Sequence, residues 1–365
     1  MMKHINELQQ SLKHYFNLSF WNTECLTYFI IALQIINDVN LSQIAKCFPS
    51  KASTTSCYRR LQRFITRFEI SFLSLWKLVD TIFNLSDQVI LCMDRTNWKF
   101  GKVHINFLMI AIAYKGVAIP VIWSLLPQRK RGNSKAIDRQ RLFDQLLEFI
   151  PATRIKTLLC DREFIDGNWI AYLSSKQVKF VIRAKGNYLA SNKKISKLFL
   201  TLKASQARTL HNTKCIVGCD LYVSGLRLPT GELVIVVTRE FNLNALDQYK
   251  IRWEIESFFS AIKKRGFNFE NTHLTDMQKL SRLMFVVSIA LIWSYRTGEI
   301  LESIKPIKIK KHGFKAKSLI KIGTETIAKS LARAINSSEY ICNIIKATFK
   351  PKISISQRMA LVGVM

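Results

Sequence analysis

The chain has 365 residues, of which 48% are hydrophobic and 22% charged, a globular composition with enough apolar surface for a real core and room for two or three domains. Lysine and arginine number 55 against 25 aspartates and glutamates, a formal net charge of +30. A compact chain with that excess repels itself unless a polyanion neutralises it, so an acidic partner such as DNA or RNA is the default, against a generally lysine-rich proteome as the source of part of the excess.

Residues 1–86 read as helical. Apolar positions recur at helical spacing through Leu26, Phe29, Ile30, Leu33 and Ile36. Ser42 is placed to cap a short helix carrying Ile44 and Ala45, and Pro49 breaks it. Ser53-Thr54-Thr55-Ser56 is placed to cap a second helix bearing Arg59, Arg60 and Arg63. Two short helices, a turn, and arginines on the second match a helix-turn-helix around 41–65 that contacts DNA; a small helical bundle with a solvated basic face has the same pattern. The opening MMKHINELQQSLKHYF is polar and amphipathic and predicts no secretory signal.

From residue 87 the pattern changes to strands. QVILCMDRTNW (88–98), HINFLMIAIAY (104–114) and VAIPVIWSLLP (117–127) are β-rich apolar runs. Residues 105–126 resemble a membrane span in hydropathy alone, but Lys115-Gly116 and Pro120 interrupt them, which predicts two buried strands joined at a turn. A basic loop (128–135), a helix (136–149), a strand ending in charge (156–164), a helix (165–177) and a strand (179–185) follow. Three strands in hairpin order, then helix, strand, helix, strand, is the mixed α/β order of a ribonuclease-H-like catalytic core over 87–189.

Residues 190–240 read as a β insertion, with Pro229-Thr230-Gly231-Glu232 as a hairpin turn. His211, Cys215 and Cys219 have the spacing of half a zinc site, without a fourth ligand of matching spacing; the remaining cysteines sit singly in apolar runs, as reduced core thiols do. The chain returns to helix over 241–300, a region expected to complete the core, where LMFVVSIALIW (283–293) is too short to span a membrane. A lysine-rich region, 301–365, closes the chain.

The candidate chemistry lies in three acids. Asp94 and Asp161 are each expected to end a buried strand, so that neighbouring strands hold two carboxylates close together. Such a pair repels unless cations bind between them, and Mg²⁺ is a hard ion that takes oxygen ligands. Two such ions about 3.5–4 Å apart serve phosphoryl transfer by activating a nucleophile and stabilising the leaving oxygen. In YKIRWEIESFFSAIKKRGF (249–267), Tyr249, Arg252, Glu256 and Lys263 follow one another at spacings of 3, 4 and 7. On one continuous helix these four lie within roughly 60° of each other. Ile255, Phe258 and Ile262 fall on the opposite side, for burial. An ordinary amphipathic helix with a charged face has the same spacing.

These segments resemble the DDE transposases of bacterial insertion sequences, in insertion-sequence family four. Its Tyr-x2-Arg-x3-Glu-x6-Lys signature is matched by Tyr249, Arg252, Glu256 and Lys263, and its two aspartate boxes resemble DRTNW at Asp94 and DREF at Asp161. GFNFENTHLTD (266–276) and HGFKAKSLIKIG (312–323) also resemble family segments, so the likeness runs over roughly 20–330. The resemblance implies a metal-binding catalytic triad of Asp94, Asp161 and Glu256, loaded with two Mg²⁺ ions or with Mn²⁺ in their place. It implies DNA contacts from Tyr249, Arg252 and Lys263. The partners implied are double-stranded DNA, as terminal inverted repeats and target, and a second copy of the chain on the paired ends, in the bacterial cytoplasm with no membrane role. In that family the β insertion helps manage a hairpin intermediate, with an aromatic stacked on a flipped base; no tryptophan occurs between 190 and 240 to take that role. The alternatives are a ribonuclease-H-like nuclease that cuts without joining and an inactive DNA-binding regulator.

Overall fold

The computed structural model describes residues 2–127, 133–263, 266–311, 313, 315–334, 338–351 and 353–363. Most of the basic loop at 128–135, and His312 and Phe314 of the segment at 312–323, lie outside them.

The chain opens with five helices, α1 (Lys3–Tyr15), α2 (Phe20–Ile36), α3 (Leu41–Lys46), α4 (Thr54–Arg67) and α5 (Phe72–Phe83). Their starts follow from local chemistry: Ser19, Ser53 and Ser71 accept backbone N–H bonds from Asn22, Ser56 and Ser74. The cap of α3 is Asn40 rather than the expected Ser42, because the Asn40 side chain reaches the Ser42 amide and leaves Ser42 inside the helix.

Three long strands follow, β1 (Val89–Phe100), β2 (Val103–Tyr114) and β3 (Val117–Leu125). Lys115 and Gly116 join β2 to β3 with φ of 46° and 93°. Positive φ at both central residues is what a tight right-twisted hairpin requires. Next come α6 (Ala136–Leu147), β4 (Ile155–Cys160), α7 (Gly167–Ser175) and β5 (Phe180–Ala184), the alternation read from the sequence. After β6 (Leu189–Ala190), β7 (Lys193–Lys194), β8 (Ala207–Thr209) and β9 (Lys214–Ile216), the chain runs through β10 (Cys219–Arg227) and β11 (Leu233–Thr238), joined by the expected turn at 229–232. It ends in α8 (Ala245–Lys250), α9 (Trp253–Ile262), α10 (Met277–Ile304), α11 (Leu319–Arg333), α12 (Glu339–Phe349) and α13 (Ile355–Gly363).

Two compact units result, one of residues 86–258 and one of 1–85 with 259–365. In the first, nine of the described strands form one mixed sheet in the order β3-β2-β1-β4-β5-β11-β10-β8, with β9 paired to β10. The pairs β1–β4 and β4–β5 are parallel and the others antiparallel. This is a mixed α/β unit, consistent with a ribonuclease-H-like core. The stretch expected as a β insertion does not stand apart from this sheet, since β11 pairs with β5 and β10 carries the same sheet outward.

The second unit is helical among its described residues, save an isolated bridge between Ile309 and Lys315. Its centre is α10, buried without a break from Leu283 to Ile300 and packed by α2, α4, α5, α11, α12 and α13. A helix apolar on all sides needs neighbours on all sides. That is why 1–85 groups with 259–365, where the sequence suggests a separate amino-terminal domain and a core extending to 300. The helix is 28 residues long and apolar enough to cross a membrane, but its most apolar window is 100% buried in the protein. Gly298 and Gly323 set the crossing of α10 and α11: a Cβ on Gly323 would stand 1.8 Å from the Ser294 carbonyl oxygen, and one on Gly298 2.0 Å from that of Leu319.

Candidate active site

The two aspartates meet through the parallel pairing of β1 and β4. The last paired residues are Met93 and Cys160, so Asp94 and Asp161 lie one residue further along neighbouring strands. Only Asp161 stands at the end of its strand. Asp94 lies within β1, which runs on to Phe100 because β2 continues to pair with it on the other side, at Asp94–Met109 and beyond. The expectation that both acids end a strand is therefore corrected for Asp94. Its backbone is held on one side and open on the other, at the point where β4 stops.

The segment 249–263 is not one helix. Tyr249 belongs to α8, and Arg252 sits in the tight turn before α9, with Arg252 N–H bonded to the Tyr249 carbonyl at 3.0 Å and Ile255 N–H to that of Arg252 at 3.1 Å. Lys263 lies just beyond α9, and its Nζ pairs with Glu270 at 2.8 Å. The expected stripe is thus broken at both ends, yet three of its members converge. The Tyr249 hydroxyl donates to Asp161 Oδ1 at 3.0 Å. Arg252 spans two acids, with Nη1 3.0 Å from Asp94 Oδ2 and Nη2 2.7 Å from Glu256 Oε1. The side chains of Arg252 and Asp94 are 4% and 15% exposed, against 40% for Glu256, so the ion pair to Asp94 is the buried one. Ile255, Phe258 and Ile262 are fully buried, as their spacing predicts.

Electrostatics follow from burial. Removing Asp94 from water pushes its carboxyl up to about 7, in spite of the Arg252 guanidinium and the Arg95 amide, which pull it down. The Asp161 charge beside it adds to the upward push. Burial also raises the Tyr249 phenol, with the Asp161 carboxylate acting in the same direction. Tyr249 stays protonated at neutral pH and keeps its hydrogen bond to Asp161.

Further residues support the site that sequence reasoning missed. Arg95 holds Glu163 through two hydrogen bonds, 2.6 and 2.7 Å, and Arg139, buried, donates to the Glu163 carbonyl at 3.1 Å. Together they fix the 3₁₀ turn Arg162–Phe164 that follows Asp161. Arg95 and Glu163 lie inside the two aspartate boxes, a signal available in the sequence; Arg139 carries none. Glu254 accepts the Gly116 amide at 2.8 Å and so ties the first turn of α9 to the β2–β3 hairpin. Burial raises its carboxyl, and the backbone N–H bonds from Gly116 and Tyr114 counter that only in part.

Asp94, Asp161 and Glu256 supply the all-oxygen, anionic donor set that a hard divalent cation takes. The residues fit such an ion in chemistry, and the buried guanidinium between Asp94 and Glu256 marks the place as one that holds positive charge. They are not gathered as a finished cage: no group of three His, Cys, Asp or Glu side chains among the described residues stands ready around one point. The same holds for His211, Cys215 and Cys219, where His211 stacks on Phe241 and the Cys219 thiol faces the Gly167 carbonyl.

A pH dependence follows from Asp94. A carboxyl raised to about 7 is protonated below that pH and must lose its proton to ligate a cation. For folding the sign is opposite: this group favours the folded chain at low pH, and its contribution is lost as pH rises through about 7. Affinity for Mn²⁺, read by calorimetry, is expected to fall by about tenfold per pH unit below that value. A flat profile across neutrality would show that Asp94 does not govern cation binding.

A second surface lies on the helical unit. Arg59, Arg63 and Arg67 are on one side of α4 and line, with Tyr58 and Lys279, a cleft of about 700 Å³. Arg60 turns the other way: it pairs with Glu24, donates to the Trp21 carbonyl and lies 5.6 Å from the Tyr28 ring. Of the three arginines expected at DNA, Arg59 and Arg63 face the cleft and Arg60 is engaged within the fold.

The family model of the transposase DDE domain matches residues 85–293, more than half of the chain, spanning both aspartates and Glu256. No curated protein matches the chain.

Proposed function

The chain belongs to the transposase DDE-domain family, and on that premise we propose that it cuts DNA at the terminal inverted repeats of an insertion sequence of family four and joins the freed ends to target DNA. The observation that carries this reading is the interlock of Tyr249, Arg252 and Glu256 with Asp94 and Asp161. Residues far apart in the chain, three from the signature and one from each box, meet in one place, which supports this reading.

Asp94, Asp161 and Glu256 would hold the divalent ions, two Mg²⁺ or Mn²⁺. When bound, such ions polarise the scissile phosphate and stabilise the charge of the departing oxygen. The chain's own groups do the rest. Arg95, Glu163 and Arg139 keep the turn after Asp161 in place, which holds that carboxylate in position. Tyr249 orients Asp161 by its hydrogen bond. Arg252 and Lys263 supply cations for the backbone phosphates of the strand being cut. No side chain serves as a covalent nucleophile in this scheme.

The cleft on α4, preceded by the short α3, is the proposed surface for double-stranded DNA, in the manner of a helix-turn-helix. Two copies of the chain would bring two ends together, on the nucleoid in the bacterial cytoplasm. Replacing Arg59 or Arg63 with alanine should weaken DNA binding and reduce the slope of log affinity against log salt by about 0.9 for each phosphate that is no longer neutralised. Arg60→Ala should leave that slope unchanged and cost about 1 kcal/mol of stability instead, as removal of a partly exposed ion pair does. Salt titrations by fluorescence anisotropy measure the first, and equilibrium melts the second. An Arg60 effect on the slope equal to that of Arg59 would reject the assignment.

The decisive assay uses labelled DNA carrying the inverted repeats that flank the gene, with Mg²⁺ and a target plasmid. Transposition yields cut ends and joined products. Cutting without joining, even from pre-cut ends, would assign a nuclease instead.

A further inference from the structure

The arginine of the signature occupies an unusual place. One guanidinium, almost wholly buried, is shared between two of the three acids that the proposed function assigns to metal. It lies between the Tyr249 and Trp253 rings, 5.5 and 5.4 Å from its Cζ. Arg252 is also the residue at the break between α8 and α9, where the backbone is a tight turn rather than a regular helix. Its Nε is buried and finds no hydrogen-bond partner among the described residues. The guanidinium therefore fills its position with one donor, Nε, left without an acceptor, which a further acceptor oxygen would satisfy.

We infer that Arg252 is a stand-in cation that competes with the divalent ion: it neutralises Asp94 and Glu256 until a DNA phosphate draws it away, and only then do these carboxylates take up metal. The inference rests on the proposed metal-dependent reading of the site and adds an order of events to it. Arg252 occupies Asp94 Oδ2 and Glu256 Oε1, the Arg95 amide holds Asp94 Oδ1, and a guanidinium and a divalent ion repel each other, so the two compete for these carboxylates. With Arg252 between Asp94 and Glu256, the three acids are not assembled around one point. Phosphate offers a guanidinium two-pronged hydrogen bonding at least as good as a carboxylate does. DNA and metal then bind with positive coupling, and the coupling is reciprocal, each raising the affinity for the other by the same factor.

The test reads metal binding directly, by the disappearance of the free Mn²⁺ spin-resonance signal on titration into the full chain without DNA. Wild type is compared with Arg252→Gln, Arg252→Lys and the double variant Arg252→Gln/Asp94→Asn, each checked for folding by circular dichroism. Arg252→Gln is expected to bind Mn²⁺ roughly tenfold tighter than wild type or more. The double variant should lose that gain, which places the ion at Asp94. Arg252→Lys keeps the charge but not the fork that spans two carboxylates, so it should also bind tighter than wild type; it decides the matter if the glutamine variant does not fold. Equal affinity in wild type and both single variants would overturn the inference while leaving the metal site standing. Weaker binding in the variants would overturn it too, by making Arg252 a support for the ion. Folded variants with no Mn²⁺ binding at all would instead reject the metal-dependent reading on which the inference rests.

Discussion

Asp94→Asn is expected to lower the rate of strand cleavage at least about a thousandfold while leaving DNA binding close to wild type. The substitution keeps the shape of the side chain and an oxygen for the Arg252 guanidinium, 3.0 Å away in the native chain. What it removes is the negative charge that a divalent ion needs. Removing a ligand forfeits several kcal/mol of charge stabilisation in the transition state, and each 1.4 kcal/mol is about tenfold in rate. Asp161→Asn and Glu256→Gln should behave alike, because the three acids act as one unit and effects within a unit do not add. Gel assays on labelled end DNA read cleavage, and anisotropy reads binding. Cleavage within tenfold of wild type by any of the three, in Mg²⁺, removes that residue from the triad.

The largest effect on stability is expected at the helix crossing. Gly323→Ala should destabilise the helical unit by about 3 kcal/mol, since overfilling a packed interior costs about 1–3 kcal/mol and more where only backbone can yield. The new methyl would stand 1.8 Å from the Ser294 carbonyl oxygen, which no rotamer change relieves. An alanine on an exposed helix position would have stabilised by about 1 kcal/mol, so the sign itself is diagnostic. Urea melts of the full chain followed by far-ultraviolet circular dichroism measure the shift in midpoint. A midpoint unchanged or raised would mean that α10 and α11 do not cross as closely as their glycines indicate.

Local chemistry explains most of what is legible in the sequence. The strands of the catalytic unit are written as runs of valine, isoleucine and leucine closed by Lys115-Gly116 and by Pro229-Thr230-Gly231-Glu232, so β1 to β5 and the hairpin of β10 and β11 can be read directly. Ser53 before α4 is equally plain. What the sequence hides are partners distant in it. Whether Asp94 ends a strand depends on β2, which pairs beyond the point where β4 stops. Arg60 looks like its neighbours Arg59 and Arg63 until Glu24, from another helix, claims it. The spacing in 249–263 identifies the residues that meet, though not how: it predicts a helical stripe, whereas a turn at Arg252 brings Tyr249 to Asp161 and Arg252 to both Asp94 and Glu256. The association of the first five helices with the last four follows from α10, whose all-round apolar surface is visible in sequence while its neighbours are not.

The bond from Glu254 to the Gly116 amide has an evolutionary corollary. A carboxylate that grips main chain does not read the side chain at 115, so changes there can accumulate without disturbing the helix that carries Glu256, while the φ of 93° keeps glycine at 116. It is not indifferent to residue number, because one inserted amino acid would carry the amide out of reach. Homologues should therefore vary at 115, keep glycine at 116 and keep the length of the bend.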